Sequence, residues 1–242
     1  MAAARGQIGT VTDVAIGTAA IAYIEPHEGQ AREFNRWYER DHFYAATTAG
    51  PGAFAGARWV APRGCKAVRP PSATWFGEPA RGSYLTTVWL LDDTQAEWDA
   101  WVGRRMERLR AEPGRMFAGR DHIHTAVYRF GVEARAGDGV SAATALDHPF
   151  DGVIAIAAAP GDGGEIASSF VGPGHATAAV FARERVILAS AEPPAHDLVL
   201  GFTSGDPLVT WNTRVGPLLD RVGFASPFVR TIPGTDTYTD DL

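Results

Sequence analysis

Four residues have the types and spacing that proton transfer needs: Tyr38, His42, His122 and His124. His42 follows Tyr38 by four residues and Phe34 by eight, which puts the three on one stripe of a helix. An imidazole on an aromatic face can be tuned near neutrality and serve as general acid or base. A helix-end histidine capping a carbonyl, or satisfied in the core, has the same spacing. Asp41 is its neighbour in sequence but stands roughly 100° away around a helix. Pairing with Arg36 or Arg40 at the surface suits it better than orienting the His42 ring.

The second cluster is Arg120-Asp121-His122-Ile123-His124. On a strand, alternation puts His122 and His124 on one face. Two histidines so spaced can join a metal site, but such sites draw on further His or carboxylate ligands. No H-E-x-x-H or paired C-x-x-C accompanies them, so no metal is expected. Phosphate loops, nucleophile elbows and dinucleotide fingerprints are also absent, and Gly161-Asp162-Gly163-Gly164 reads as a turn. Haem requires an axial ligand. His175 and His196 are available but lie in Gly- or Pro-containing stretches, and no cofactor is expected. The single cysteine, Cys65, has Arg63, Lys66 and Arg69 nearby, which could lower a thiol pKa; a bystander thiol in a loop is the plainer reading.

Composition sets the frame for these residues. The 242-residue chain is 45% apolar and 21% charged, enough for a sizeable core. Its net charge of −6, with acid and base interspersed, argues against a nucleic-acid partner. Met1 to Gln7 is followed by no signal-peptide h-region, and Ala15 to Ile24 is too short to span a bilayer, so no membrane partner and a cytoplasmic location are expected.

The elements that must position the histidines occur twice in one order. In the first half, Val14–Ile24 reads as a strand and Glu28–Thr48 as a helix stopped by Gly50-Pro51-Gly52. Ala53–Pro62 and Tyr84–Leu91 follow as strands, separated by a Pro-containing loop, Arg63–Gly82. Gln95–Glu112 is an amphipathic helix and His122–Phe130 the last strand. Residues 131–150 read as a connection. The second half, 151–242, gives a strand at Gly152–Ala159, a short helix at Gly164–Val171 and interrupted strand material at Ala176–Phe181 and Val186–Ala189. A strand at Asp197–Thr203, a helix at Pro207–Val222 and a strand at Phe224–Ile232 complete it. The acidic tail from Thr235 is expected to be loose or to cover an edge. The fold class is therefore α+β, with tandem ferredoxin-like βαββαβ repeats, residues 1–130 being the active half and 151–242 a degenerate copy.

The run Phe34-Asn35-Arg36-Trp37-Tyr38-Glu39-Arg40-Asp41-His42, followed by Gly50-Pro51-Gly52 and a strand, resembles the dimeric α/β-barrel superfamily. Its EthD-like and antibiotic-biosynthesis-monooxygenase-like branches are the nearest in pattern. The match runs through Asn35, Trp37, Tyr38 and His42; the second half fits by element order alone and lacks a W-Y…H helix. The resemblance implies an intrachain barrel of the dimeric α/β type. It leaves the reaction open among cofactor-free oxygenases, isomerases, lyases, cyclases and haem enzymes.

The first half also carries six of the seven tryptophans, Trp211 being the exception. Trp37, Trp59 and Trp89 with Tyr84, Tyr128 and Asp41 are candidates to line a pocket for a hydrophobic, oxygenated or aromatic small molecule, although filling a core is the default for aromatics. The expected activity is a cofactor-independent lyase, isomerase or cyclase reaction, with His42 moving the proton and Tyr38 and His122 or His124 polarising an oxygen. A cofactor-free monooxygenase on a phenol and a non-catalytic binding protein are the alternatives. Homo-oligomerisation stays open.

Overall fold

The computed structural model describes residues 14–72, 74–137, 139–172 and 177–242; Met1 to Gln7 and His175 lie outside them. Strand β1 (Ile16–Pro26) leads into helix α1 (Ala31–Trp37), which continues as two π-helical turns, Tyr38–His42 and Tyr44–Thr48. Then come β2 (Ala53–Val60), the short α2 (Arg63–Ala67), β3 (Tyr84–Leu91), α3 (Gln95–Ala111) and β4 (Arg120–Arg135). The second half has β5 (Gly152–Ala158), α4 (Gly163–Phe170), β6 (Thr177–Ala189), β7 (Asp197–Thr203), α5 (Pro207–Thr210) and β8 (Val222–Arg230).

The eight strands close into one antiparallel barrel in the order β1-β3-β2-β8-β5-β7-β6-β4. The order within the first half is β4-β1-β3-β2, and within the second β8-β5-β7-β6. Long strands β4 and β6 pair from His124↔Ala189 to Arg135↔Thr177, whereas β2 and β8 meet only at Trp59↔Arg230 and Val60↔Val229.

Alternation along the strands divides the apolar residues into layers. Trp59, Leu85, Trp89, Phe181, Leu200, Phe202 and Phe228 fill the interior, with Ala142, Leu146 and Phe150 added from the connection between halves. Outside the first half, α1 and α3 press Phe34, Tyr38, Phe43 and Trp98 onto Tyr84, Val88 and Leu90. Outside the second, Ile166, Phe170 and Trp211 cover Ile154, Ile156 and Val199. Strands β3 and β5 are consequently buried on both faces and read as nearly unbroken apolar runs.

Several element boundaries differ from the sequence expectation. The Arg63–Gly82 segment contains α2 and places Cys65 and Phe76 in the interior core. Strand β4 continues to Arg135, five residues past Phe130, because β6 supplies a long partner. β6 is itself one strand up to Ala189. The helix expected over Pro207–Val222 breaks into α5, a π turn at Trp211–Val215 and a 3₁₀ turn at Gly216–Arg221, with Pro217 in the last of these. The C-terminal tail is a cover: Asp236 pairs with Arg36, Asp240 with Arg32 at 2.9 Å, and the Thr235 carbonyl accepts from Asn35 Nδ2 at 3.1 Å.

Candidate functional site between the first helix and the sheet

α1 and its π-helical continuation lie across the outer face of β1, β3 and β2. The wide turns rotate successive side chains less sharply than an α-helix does, a distortion that recurs at functional sites. Three contacts anchor the segment: Trp37 Nε1 donates to the Arg115 carbonyl at 3.0 Å, Trp98 Nε1 to that of Thr47 at 3.0 Å, and Arg105 Nε to that of Ala45 at 2.8 Å. Gly56 allows the close approach, since a Cβ there would stand 2.8 Å from the Phe43 ring.

Beneath this helix lies a polar cluster enclosed by aromatics. His42 is buried, stacked on Trp37 with ring centres 4.3 Å apart, and edge-on to Tyr38 at 5.2 Å. Arg58 of β2 holds its guanidinium carbon 4.5 Å from the centre of the Tyr38 ring and 5.4 Å from that of Tyr84. Arg120 of β4 sits over Trp37 at 4.6 Å. Tyr38 is hydrogen-bonded to Thr86, and His122 Nδ1 shares a hydrogen bond with Thr125 at 2.9 Å.

The cluster is short of partners. Among the described residues, the buried atoms Arg58 Nε and Nη2, Arg120 Nε and His42 Nδ1 have no hydrogen-bond partner, and neither guanidinium makes an ion pair. An unpaired buried cation costs free energy, so buried Arg58 and half-buried Arg120, with orphan N–H groups beside an orphan imidazole nitrogen, have the chemistry to cradle an oxyanion. Burial, then the charges of Arg120, His122 and Arg58, push His42 down to about 3; burial and Arg120 push His122 down to about 4. Both rings are therefore neutral at pH 7. Burial also lowers Arg58 and Arg120 and raises Tyr38.

A cavity of about 120 Å³, lined by Glu39, Phe43, Tyr44, Gly56, Arg58 and Arg230 among others, reaches Arg58. A wider cleft, about 910 Å³, lies elsewhere, near the C-terminal tail, where His27 and Arg81 engage Asp121 and Arg32 pairs with Asp240. Size favours that cleft; the orphan polar atoms favour the cluster under α1, and chemistry follows the atoms.

Of the residues singled out in the sequence, Trp37, Tyr38, His42, Tyr84 and His122 meet here. His124 does not. Tyr23 pairs with His124 and Ile24 with His122, which leaves Ile123 as an extra residue in β4, a β-bulge. The inserted residue breaks the alternation, so His122 faces α1 and His124 the barrel interior, and the two cannot bracket one substrate or share an ion. Tyr128, Trp59 and Trp89 are also interior, and both indoles are satisfied: Trp59 Nε1 donates to Thr87 Oγ1 at 3.2 Å and Trp89 Nε1 to the Ala142 carbonyl at 3.0 Å. Asp41 pairs with Arg115 at 2.8 Å rather than with Arg36 or Arg40. Cys65 is buried and pushed up to about 11 by desolvation, so it stays a thiol. His196 has both nitrogens engaged, with the Pro194 carbonyl and with Tyr128, and offers none to a haem iron. Among the described residues no three His, Cys, Asp or Glu side chains gather as a metal site, and no helix is long and apolar enough to cross a membrane.

No family model matches the chain, and no curated protein matches it. Among solved structures it is similar to a provisionally assigned chlorite dismutase, with 10% identity and a TM-score of 0.52 over 94% of this chain and 100% of that one. At 9% identity and TM-scores of 0.49 it also aligns with an anthrone oxidase-like protein, over 91% of this chain and 93% of that one. A provisionally assigned monooxygenase from Fusobacterium nucleatum aligns equally, over 91% and 94%. The first of these likenesses shows a shared barrel fold; none passes an activity to this chain.

Proposed function

We propose that the protein is an acid–base enzyme that forms and stabilises an enolate or phenolate of a hydrophobic, oxygenated small molecule in the layer between α1 and the first sheet. The observation that carries this reading is the set of orphan groups: one neutral imidazole beside a buried and a half-buried guanidinium that have no carboxylate partner among the described residues. The lone pair of His42 removes a proton from carbon or oxygen, and Arg58 and Arg120 stabilise the oxygen that takes the charge. An anion bound between the guanidiniums also offsets the charge repulsion that adds to burial in depressing His42, and so raises its basicity. In this reading Tyr38 and His122 hydrogen-bond the same oxygen, and Trp37 and Tyr84 supply apolar walls. The return of the proton to another atom makes the reaction an isomerisation, lyase or cyclase step without a cofactor.

The cavity at Arg58 is smaller than the few hundred Å³ of an ordinary ligand pocket, so a whole substrate enters as the elements around it shift outward. A second reading, a cofactor-free monooxygenase, uses the same stabilised anion as the electron source for oxygen; oxygen uptake during turnover separates the two. We also infer that the halves are diverged copies, with the EthD-like pattern confined to the first. The identical strand orders and the single W-Y…H helix support this.

A test that needs no known substrate is hydrogen–deuterium exchange at the α-carbon of 2-tetralone, a bicyclic aromatic ketone, followed by proton NMR in D₂O. The enzyme should accelerate exchange, and His42→Ala should abolish the acceleration. Acceleration that survives this change would overturn the assignment of His42.

A further inference from the structure

Inside the barrel a second group of polar side chains stands on the opposite face of β1 and β4, independent of the cluster under α1. Its hydrogen bonds fix their own direction. His196 Nδ1 donates to the Pro194 carbonyl at 2.8 Å, so in the neutral ring Nε2 is the acceptor. Tyr128 therefore donates its hydroxyl hydrogen to His196 Nε2 at 2.8 Å, and its oxygen accepts from His124 Nε2 at 2.9 Å. With Nε2 carrying the proton, His124 Nδ1 holds a bare lone pair. Burial lowers both histidines, His124 to about 3, which keeps the rings neutral and the chain of bonds in this sense.

Among the described residues that lone pair has no partner, and neither does the hydroxyl of Tyr23, the residue paired with His124 across the ladder. Both side chains are essentially wholly buried, His124 at 0% exposure and Tyr23 at 1%. The ring of Phe76, from the segment between α2 and β3, lies against them: stacked on His124 at 4.7 Å, tilted on Tyr23 at 5.0 Å and on Phe224 at 4.8 Å. An apolar ring packed against the two rings that carry these orphan atoms supplies neither with a hydrogen bond, a free-energy cost that a hydroxyl-bearing ring in its place would remove.

We propose that this end of the barrel is a binding site for a single-ring phenol, which displaces the Phe76 side chain, donates its hydroxyl hydrogen to His124 Nδ1 and accepts one from Tyr23. The polarity is specific. A carbonyl compound satisfies Tyr23 but not the His124 lone pair, and a hydrocarbon ring satisfies neither.

Isothermal titration with phenol and with toluene, which has the same shape but no hydroxyl, tests the site on the intact chain. Phenol should bind about ten-fold or more tightly than toluene, the size of effect expected when a ligand satisfies orphan buried groups. Phe76→Ala, which vacates the ring's place, should tighten phenol further, and Tyr23→Phe and His124→Phe should each erase the preference over toluene. Equal binding of the two probes overturns the proposal, as does a preference that survives both substitutions or the absence of phenol binding to both the wild type and Phe76→Ala. Should Phe76→Ala fail to fold, saturable ¹⁹F shifts of 4-fluorophenol on the wild type, compared with Tyr23→Phe, decide the matter in the same way.

Discussion

Arg58 reaches out of β2 to place its guanidinium over the ring of Tyr38, 4.5 Å from the ring centre, with no carboxylate within ion-pair distance among the described residues. A cation–π contact returns only about 0.5–2 kcal/mol, less than burying a charge costs. Arg58 is thus a net cost to the stability of the fold. Arg58→Met should raise the unfolding free energy by about 1–4 kcal/mol, as replacing buried charges by apolar groups of similar volume often does. The same change should lower turnover about 10²–10³-fold through the lost oxyanion donor. Thermal melts and kcat on one preparation read both; a variant less stable and fully active contradicts the assignment.

His42→Ala should lower kcat by about 10²–10⁴, the usual contribution of a positioned acid–base group. Its neighbour offers a control. Asp41 is engaged with Arg115 at the surface, so Asp41→Asn should leave kcat within about three-fold and cost roughly 0–1 kcal/mol of stability.

His122 and His124 should behave differently although only Ile123 separates them. His122→Ala, on the α1 side, should reduce turnover with a modest change in stability. His124→Ala removes one of the two hydrogen-bond partners of Tyr128 in the interior and leaves a hole, and should cost about 2 kcal/mol or more with little direct effect on the chemistry under α1. Parallel kcat and denaturant measurements on the two variants check the split.

Stability should fall on mild acidification. An imidazole in the unfolded chain takes its proton near its ordinary value of 6.5, whereas folded His42, His122 and His124 are held down to about 3, 4 and 3. Between those limits the unfolded chain binds more protons. The stabilisation is complete above pH 6.5 and drains away as pH drops, each ring contributing about 1.4 kcal/mol per pH unit. Urea midpoints from pH 7.5 to 4.5 should decline accordingly, and less steeply in His42→Gln. A flat profile over that span contradicts the buried neutral assignment.

The elements that place the site were legible where a periodic pattern met a punctuating residue. The Phe34–Tyr38–His42 stripe lies under α1 as its spacing implies, and Gly52, at φ +75°, turns the chain into β2. What escaped was whatever depends on a partner far along the chain. The bulge at Ile123 has no local signature, because alternation cannot anticipate an extra residue that only the β1 ladder reveals. Arg58 and Arg120 look like solvated strand residues, since arginine is seldom buried unpaired; only the fold shows Arg58 buried and Arg120 half-covered beside the first helix. His196, in a proline-containing stretch, gave no sign that it meets Tyr128 at a distance of 68 residues.

The barrel's two closures are unequal, and the weaker one adjoins the site. Strands β2 and β8 hold each other by Trp59↔Arg230 and Val60↔Val229, with Thr231 reaching the Arg58 carbonyl through both its amide at 3.1 Å and its hydroxyl at 3.0 Å. The other closure, β4 against β6, spans most of both strands. Local opening draws on the least cooperative part of a structure, so the cylinder should unzip along β2–β8 well before it yields anywhere else. Amide exchange there should be governed by a partial opening, whereas exchange along β4 and β6 waits for global unfolding. Each such opening loosens the backbone that carries Arg58 and widens the cavity shared by Arg58 and Arg230. The strand register thereby turns the barrel's own breathing into a route by which a solute arrives at the guanidinium.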